Sequence, residues 1–445
     1  MARYLFAIWP FAGHVHPALA VARALRARGH DAAFYTGAGV HPEIAGEGFH
    51  CFPFERVDEQ RVAALAASEF PYSGSFAGRL RQAPRLQAKF REWLLETIPQ
   101  QVEDLDRVMA AWVPDVLVCD LAFWSPILVL GEARRIPVAV LSILAACILP
   151  GPDAPFWGQG LPRPRSAAMR LRSRLTRSLV RILSVRFRAE VNAVRRRYNL
   201  PPIDCPVTEY AARMPLYLVP STPAYDYERG DLPSSVQYVG PCLWDKPGNS
   251  RPPEWLSQLD HARPLVYVTE ATIGTGDPFL LKAAAQGLRN LPVQVVMTAG
   301  RQRNPAALDL GPLAPDMRVE SYVPQSDLLP HTAVTVTLGG SGGVLASLSA
   351  GVPLVVVPTE WDRPENAQRV VEAGAGLRLA PDRCTPDRLR AAVERVLREP
   401  SFRENARRLA RDFANYGGPR RAAQLLEALV AAKPRPAAAG YGGHH

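Results

Sequence analysis

Residues 3–35 read RYLFAIWPFAGHVHPALAVARALRARGHDAAFY, and this stretch decides the fold predicted for the first half of the chain. The apolar runs at 3–9 and 31–35 predict two buried strands. Between them, apolar residues recur at the spacing of one helical face, and Gly29 follows as the expected C-terminal cap. A strand, a helix and a second strand in this order predict a βαβ unit with parallel strands.

The same alternation continues along the chain and divides it into two parts. Runs of buried-type residues predict strands at 115–119, 137–141 and 216–219, and then at 265–269, 293–298, 317–322, 334–337, 354–357 and 377–379. The stretch between the two sets is rich in Pro, Gly, Ser and Asp around one short strand, 236–239, which is typical of a linker. We therefore predict an α/β chain of two tandem Rossmann-like, doubly wound domains with an interdomain cleft. The predicted boundaries are an N-terminal domain at 1–222, a linker at 223–255, a C-terminal domain at 256–416 and a disordered tail at 433–445.

Composition narrows the class of protein. The 445 residues are 47% hydrophobic and 21% charged, the balance of a soluble globular chain of two or three domains. No apolar run approaches the ~20 residues of a membrane-spanning helix, and the N-terminus is typical of a strand rather than a secretory signal. The six cysteines are too scattered for a zinc site or a disulfide framework. We expect a cytoplasmic protein with free thiols.

The net charge of +10 is concentrated in one segment. Residues 161–200 contain twelve arginines and a single acid, Glu190, and therefore contribute +11. The rest of the chain sums to about −1, so the positive field belongs to one element and not to the whole surface. This distribution argues against a nucleic-acid partner.

A glycine-rich run in the second half, Leu338-Gly339-Gly340-Ser341-Gly342-Gly343, follows a predicted strand and precedes a predicted helix. Backbone amides and a helix N-terminus in that position would face an anion such as a diphosphate. The spacing matches neither the dinucleotide fingerprint nor the P-loop. A tight turn without a ligand is the alternative.

His14 and Asp120 follow two predicted strands of the first domain at the same edge of the sheet. An imidazole there can act as a general base when a carboxylate fixes its tautomer and stabilises the imidazolium that forms. Asp120 could supply that carboxylate. A helix-capping or solvent-facing histidine is the alternative.

Several motifs together resemble those of the nucleotide-sugar-dependent glycosyltransferases of the GT-B fold, in particular the small-molecule group (macrolide, antibiotic and flavonoid type, family 1). The similarity spans nearly the whole chain. It is carried by Gly13-His14-Val15-His16-Pro17 with the helix that follows, by Tyr322-Val323-Pro324-Gln325, and by the signature from Thr337 to Gly376 with Ala350-Gly351-Val352-Pro353 and Pro358-Thr359-Glu360-Trp361-Asp362-Arg363. The resemblance also implies that the final helix, within 417–432, packs back on the N-terminal domain.

This resemblance implies an inverting, metal-independent transfer of a sugar from a UDP- or TDP-sugar to a hydroxyl group of a hydrophobic natural-product acceptor. His14 would be the general base and Asp120 its partner carboxylate. The nucleotide sugar is a cosubstrate, so no separate cofactor is implied. The implied donor-binding residues are Thr272, Tyr322, Val323, Gln325, Gly339, Gly340, Ser341, Gly342, Gly343, Asp362 and Arg363.

Four positions depart from the family pattern. Leu338 replaces a histidine that holds the diphosphate, so the amides of the glycine-rich run and Thr272 would bind the phosphates. Ala346 replaces a glutamate that contacts the ribose, which leaves thymidine donors open. Arg363 replaces a glutamine that reads sugar hydroxyls, and this is not a neutral exchange. Tyr322 replaces the stacking tryptophan but keeps an aromatic face for a pyrimidine.

The acceptor side of the cleft is predicted from its aromatic residues and from the Arg-rich segment. An aromatic set in loops of the first domain suits a lipophilic acceptor: Trp9, Phe11, Phe70, Tyr72, Phe123, Trp124, Phe156 and Trp157. Residues 163–197 combine arginines with apolar residues at helical spacing. This pattern fits three interpretations: a peripheral contact with an anionic membrane, contact with an acidic acceptor, or a helix face that is merely solvated.

Two other functions stay open from the sequence. A nucleotide-sugar 2-epimerase shares the two-domain fold, although its acidic catalytic cluster is not apparent. A degenerate glycosyltransferase that serves as a partner protein would explain Leu338, Ala346 and Arg363, but such a protein would need neither His14 nor Asp120. Monomer and homodimer are both compatible with the sequence.

Overall fold

Two parallel β-sheets with helices packed on them form the part of the chain that the computed structural model describes, which is residues 1–67, 76–245, 253–270, 277–300 and 303–432. The first sheet contains β1 (Arg3–Ala7), β2 (Asp31–Thr36), β3 (His50–Pro53), β4 (Val116–Asp120), β5 (Val138–Leu141), β6 (Leu216–Val219) and β7 (Val236–Tyr238). Its strand order is β3-β2-β1-β4-β5-β6-β7. The order reverses beside β1, where open α/β sheets bind their ligands.

The second sheet contains β8 (Leu265–Thr269), β9 (Gln294–Thr298), β10 (Met317–Glu320), β11 (Thr332–Thr337), β12 (Leu354–Val356) and β13 (Gly376–Arg378). Its order, β10-β9-β8-β11-β12-β13, repeats that of the first sheet. The predicted fold class, two tandem doubly wound α/β domains, is confirmed.

Continuous apolar runs form the central strands because both faces of each sheet are buried. In β1 and the two residues after it, alternate side chains enter two different cores. Leu5, Ala7 and Trp9 join one core, and Tyr4, Phe6 and Ile8 join the other. This period of two explains why the strand is apolar at every position.

Helices flank both sheets. In the first domain they are α1 (Ala12–Ala27), α2 (His41–Gly46), α3 (Glu59–Ala67), α4 (Phe76–Phe90), α5 (Ile98–Ala111), α6 (Gly131–Ala133), α7 (Ala167–Leu183), α8 (Val185–Arg197) and α9 (Val207–Tyr210), with π-helical turns at Arg91–Leu95 and Pro126–Leu130. The second domain adds α10 (Phe279–Gly287), α11 (Gln325–Leu328), α12 (Ser341–Ser349), α13 (Arg363–Glu372), α14 (Pro386–Arg398), α15 (Pro400–Tyr416) and α16 (Pro419–Ala431). None of the helices in the described ranges is both long enough and apolar enough to cross a membrane.

Two edge strands differ from the sequence analysis. Strand β3 was not predicted, because its four residues, His50–Pro53, are half-exposed and carry little apolar signal. Strand β7 lies inside the segment 223–255 that was assigned to the linker, yet it pairs with β6 in the first sheet. The strand itself was predicted at 236–239, but the turn-forming residues around it favoured a linker over an edge of the first sheet.

Helix α16 packs on α1, although the two lie at opposite ends of the chain. Ala422, Ala423 and Leu426 enter the core beneath the first sheet. At the rim, both oxygens of Glu427 accept hydrogen bonds from Arg28, each at 2.7 Å. The Arg28 hydrogen bond is the main reason that the pKa of Glu427 falls to about 2; burial opposes the shift, and the hydrogen bond from His30 adds to it.

A buried polar network joins the two domains. Glu365, on α13, accepts hydrogen bonds through Oε1 from the consecutive backbone N–H groups of residues 158–160, at 2.7–2.9 Å. Its other oxygen accepts from Arg369 at 2.6 Å, and Arg369 also donates to Asp226 at 2.9 Å. Burial opposes the charge of Arg369, but the two carboxylates outweigh it and raise the pKa of the guanidinium. A single cation therefore connects carboxylates on both sides of the domain boundary.

Candidate functional site

His14 lies in the first turn of α1, directly beyond the C-terminal end of β1. Its Nδ1 atom is 2.9 Å from Oδ2 of Asp120, the last residue of the neighbouring strand β4. The histidine side chain is 12% exposed and the aspartate 1% exposed. The sequence predicted this pair, and the structure brings its two members together.

Asp120 is held in place by the backbone around it. Its Oδ2 atom accepts a hydrogen bond from the N–H of Trp9 at 3.1 Å, and Oδ1 accepts from the N–H of Ala122 at 2.7 Å. The carboxylate therefore has a fixed orientation when it meets His14. With Nδ1 directed at a carboxylate, Nε2 is the ring nitrogen that can take a proton from another group.

The glycine-rich run forms a tight turn followed by a helix, as predicted. Gly339 has a φ of +94°, and a Cβ there would lie 2.6 Å from a methyl carbon of Val356, so only glycine fits. Gly340 is the N-cap of α12. A Cβ added at Gly340 or Gly342 would meet nothing within 4 Å, which leaves room for a ligand over the first turn. The N–H groups of that turn have no acceptor within the helix and can bind an anion.

Ser341 faces the first domain, whereas the sequence analysis placed it against the donor. Its hydroxyl donates to Asp362 Oδ2 at 2.6 Å and accepts from the backbone N–H of Ala145 at 2.9 Å. Asp362 also accepts from the Ser341 N–H at 3.1 Å and from Asn366 at 2.9 Å. Asp362 therefore caps α12 through Oδ2, and Ser341 ties that cap to the loop after β5.

The predicted donor residues around Tyr322 occupy different environments. Tyr322 is exposed, and its hydroxyl is 3.4 Å from Asp245. Val323 is buried in the core, so its side chain does not face a ligand. The amide of Gln325 lies beside Gly343, 3.9 Å from where a Cβ would stand.

The structure also shows the surroundings of Leu338, Ala346 and Arg363, which depart from the family pattern. Leu338 and Ala346 are both buried among apolar side chains, so neither offers a polar contact to a diphosphate or a ribose. The Arg363 guanidinium donates to the hydroxyl of Thr359, four residues earlier. Sugar recognition by Arg363 would compete with this intramolecular bond.

Trp361 belongs to the motif Pro358-Thr359-Glu360-Trp361-Asp362-Arg363, and no role was predicted for it. Its φ of +60° is left-handed, which is rare and strained for a bulky side chain. The ring reaches the first domain, with its centroid 6.3 Å from that of Trp93, and the Lys89 ammonium lies 4.7 Å from its centre. Burial lowers the pKa of Lys89, although the nearby Glu360 opposes the shift.

A series of ring contacts connects Trp361 to His14. Trp93 packs edge-on against Phe11 at 5.8 Å between centroids, and Phe11 packs against His14 at 5.6 Å. Of the three aromatic side chains that lead to His14, the acceptor prediction included Phe11 but not Trp93 or Trp361. Only tertiary structure brings them together, because they lie far apart in the sequence.

The predicted acceptor aromatics divide into two groups. Trp9, Phe123 and Trp124 are buried in the core, with Trp9 and Phe123 fully enclosed, so they support the site from behind and do not line it. Phe11, Phe156 and Trp157 are only partly buried. The indole N–H of Trp157 is buried without a hydrogen-bond partner in the described ranges, and could donate to a ligand. Phe70, Tyr72 and Thr272 lie outside the described residues, as does the predicted tail at 433–445.

A polar cluster at the end of β8 also escaped the sequence analysis. Buried Glu270 accepts a hydrogen bond from the N–H of Leu280 at 3.0 Å, and its other oxygen pairs with Arg303. An isolated Glu-Ala pair after a strand carries no sequence signal for this role. Among the described residues, no group of three or more His, Cys, Asp or Glu side chains could hold a metal ion.

Comparison with known proteins shows what the chain is similar to. Residues 286–429 match the family model of the erythromycin biosynthesis protein CIII-like C-terminal domain. The chain is 35% identical to the 4'-demethylrebeccamycin synthase of Lentzea aerocolonigenes, over 96% of this chain and 100% of that protein. It is 31% identical to a PGL/p-HBAD biosynthesis rhamnosyltransferase of Mycobacterium bovis, over 82% of this chain and 77% of that protein. Its fold matches the calicheamicin glycosyltransferase CalG4 with a TM-score of 0.74 and 24% identity, over 98% and 100% of the two chains.

Proposed function

Since the chain belongs to the GT-B glycosyltransferases of antibiotic and other natural-product pathways, we propose that it moves a sugar from a UDP- or TDP-sugar to a hydroxyl group of a hydrophobic small molecule. The proposal includes three further points: inversion at the anomeric carbon, independence of divalent metal, and catalysis by His14 with Asp120. Membership of this family favours sugar transfer over the epimerase and partner-protein alternatives. The observation that carries the mechanism is the 2.9 Å contact between His14 Nδ1 and Asp120 Oδ2.

In the proposed reaction, Nε2 of His14 takes the proton of the acceptor hydroxyl. The acceptor oxygen attacks the anomeric carbon of an α-linked donor, the bond from that carbon to the phosphate oxygen breaks, and its electron pair leaves with the nucleoside diphosphate. The product is then a β-linked glycoside. A positioned general base contributes about 10²–10⁴-fold to such a rate, and alignment of the two substrates supplies much of the rest.

The donor is proposed to bind against the second domain. The open space over Gly340 and Gly342 and the backbone N–H groups of Gly342 and Gly343, in the first turn of α12, suit the diphosphate. Tyr322 offers an exposed ring to the pyrimidine. Because Oδ2 of Asp362 already caps α12, its Oδ1 atom is the one that we expect to meet the sugar hydroxyls.

The acceptor is proposed to lie along Phe11, Trp93 and Trp361, next to His14. These rings offer apolar faces of the kind that bind flat, lipophilic molecules. The name of the relative from Lentzea supports a natural product of this type. A structural neighbour, the spinosyn rhamnosyltransferase SpnG, has been solved with thymidine diphosphate, which supports testing TDP-linked donors beside UDP-linked ones.

The test is a transfer assay with labelled UDP- and TDP-sugars against hydroxylated aromatic and polyketide acceptors, with and without a chelator. From an α-linked donor we expect a β-linked product, identified by its anomeric coupling constant, at the same rate with and without the chelator. The His14→Ala variant should lose at least about 10²-fold in kcat while the Kd for the nucleoside diphosphate stays unchanged. His16→Ala is the matched control, because His16 lies on the same helix and contacts Glu43 and Trp244 instead. Retention of the donor's anomeric configuration, loss of activity with the chelator, or full activity of His14→Ala would each contradict a part of the proposal.

A further inference from the structure

Helix α7 and the first residue of α8 carry most of the large hydrophobic side chains that are exposed among the described residues. Of the thirteen large hydrophobic side chains that are exposed among the described residues, seven lie between Leu171 and Val185. Leu171, Leu175, Leu179 and Ile182 follow one another at intervals of four, four and three residues, which places them along one side of the helix. Their exposed fractions run from 46% to 68%. We call these four residues the α7 stripe.

The opposite side of α7 is polar and faces the protein. Ser173 is the buried residue of the helix. Arg170 forms an ion pair with Asp153 at 2.9 Å, and Arg181 forms another with Glu209 at the same distance. Arg177, between them, donates to the carbonyl oxygen of Gly151. The helix is therefore inverted with respect to an ordinary surface helix, which turns its apolar side to the core.

This inversion fixes the orientation of the α7 stripe. Ion pairs attach the helix to the domain through its polar side, and Ser166 caps its N-terminus by accepting from the N–H of Met169 at 3.3 Å. The apolar side chains are thus presented to solvent on a helix that is already folded. A row of exposed leucines this long marks an interaction surface.

The positive charge around the α7 stripe indicates which kind of partner it can bind. Arg172 and Arg174 are exposed and form no ion pair within the ranges that the structure describes, and the segment 161–200 carries +11. A second copy of this chain would bring an equal positive charge against it, which is unfavourable. An apolar stripe flanked by arginines instead matches a lipid surface, where leucines enter the acyl boundary and guanidinium groups meet anionic headgroups.

We propose that the α7 stripe and its flanking arginines hold this enzyme on the surface of an anionic lipid bilayer. The contact is peripheral, with the helix lying in the plane of the headgroups. It does not depend on the proposed reaction, since none of these residues takes part in the catalytic pair or the glycine-rich turn. It provides a reason for a helix whose apolar side is directed outward.

The proposal is tested by co-sedimentation of the full chain with vesicles. We expect binding to vesicles of equal parts phosphatidylglycerol and phosphatidylcholine at low salt, little binding to pure phosphatidylcholine, and weaker binding as salt screens the arginines. The double variant Leu171→Gln/Leu175→Gln should bind at least about tenfold more weakly. The double variant Arg172→Gln/Arg174→Gln should lose about fivefold for each charge removed.

Leu313→Gln is the matched control, because Leu313 is a similarly exposed leucine of the second domain, and it should bind like the wild type. Thermal unfolding verifies that all variants fold, since every substituted side chain is exposed. Absence of binding to anionic vesicles at low salt would overturn the proposal, as would equal binding by Leu171→Gln/Leu175→Gln and the wild type. A wild-type dimer in light scattering that the same double variant converts to a monomer would also overturn it, because the stripe would then be a self-interface.

Discussion

Replacing Asp120 by asparagine tests the catalytic assignment most directly. The carboxylate is 1% exposed and accepts from three groups: the N–H of Trp9 and Nδ1 of His14 at Oδ2, and the N–H of Ala122 at Oδ1. An amide has one oxygen and one NH₂ group, so it cannot accept at both positions. The Asp120→Asn variant must therefore leave one buried donor facing another donor.

The two orientations of that amide have different chemical consequences. With its oxygen in the Oδ2 position, the amide keeps the Trp9 and His14 bonds but opposes the N–H of Ala122. With its nitrogen there, it opposes the N–H of Trp9 and makes His14 Nδ1 an acceptor, which puts the proton on Nε2 and removes the base. Each orientation has one unsatisfied buried donor, so both should be populated, and in neither does a negative charge stabilise the imidazolium. We expect kcat to fall by about 10²–10⁴-fold and the free energy of unfolding to fall by about 1–3 kcal/mol.

Asp104→Asn is the control for replacing a buried carboxylate of the first domain away from His14. Asp104 accepts hydrogen bonds at Oδ2 from the hydroxyl of Tyr35 and from the N–H groups of Glu55 and Arg56. An amide with its oxygen in that position keeps all three bonds, so we expect a smaller loss of stability than in Asp120→Asn. Because Asp104 does not contact His14, this variant should keep its kcat. Steady-state release of the nucleoside diphosphate measures kcat, and urea denaturation measures stability. A folded Asp120→Asn variant with kcat within about threefold of the wild type would refute the reasoning, as would an equal loss of kcat in Asp104→Asn.

Three further predictions concern the domain boundary and the final helix. Arg369→Met leaves two buried carboxylates without their shared cation, and should reduce the free energy of unfolding in urea by about 3–5 kcal/mol; a loss below about 1 kcal/mol would contradict a role for the network in stability. Trp361→Ala removes a ring from the proposed acceptor wall, and should raise KM for aromatic acceptors about tenfold without changing the Kd for the nucleoside diphosphate; an unchanged KM would exclude the contact. The pKa of Glu427 is lowered from 4.5 to about 2 in the folded chain. The contribution of the Glu427–Arg28 pair to the free energy of unfolding is therefore complete above pH 4.5 and is lost as the pH falls toward 2. Since its partner Arg28 is 37% exposed, solvent screens the pair, and we expect an acid titration of stability to show a loss of about 1 kcal/mol. The Glu427→Gln variant should not show this loss.

Much of the site was predictable because it depends on local features of parallel sheets. A strand that is buried on both faces is apolar throughout, so the central strands could be identified from their continuous runs of apolar residues. His14 and Asp120 could be paired because each lies at or just beyond the C-terminal end of a strand, and the C-terminal ends of parallel strands meet at one edge. The glycine-rich turn could be recognised because only glycine tolerates the backbone conformation and the packing at Gly339.

Side-chain direction across a domain boundary was decided by tertiary structure. Nothing near Ser341 in sequence indicates that its hydroxyl meets the backbone of Ala145, or that Trp361 adopts a left-handed conformation and reaches Trp93. Helix α7 shows the same division, because the spacing of its leucines predicts an apolar side but not where that side points. Its arginines pair with acids such as Asp153 and Glu209, which are separated from α7 in the sequence. Periodicity is a property of the chain alone, whereas orientation depends on partners that only folding brings within reach.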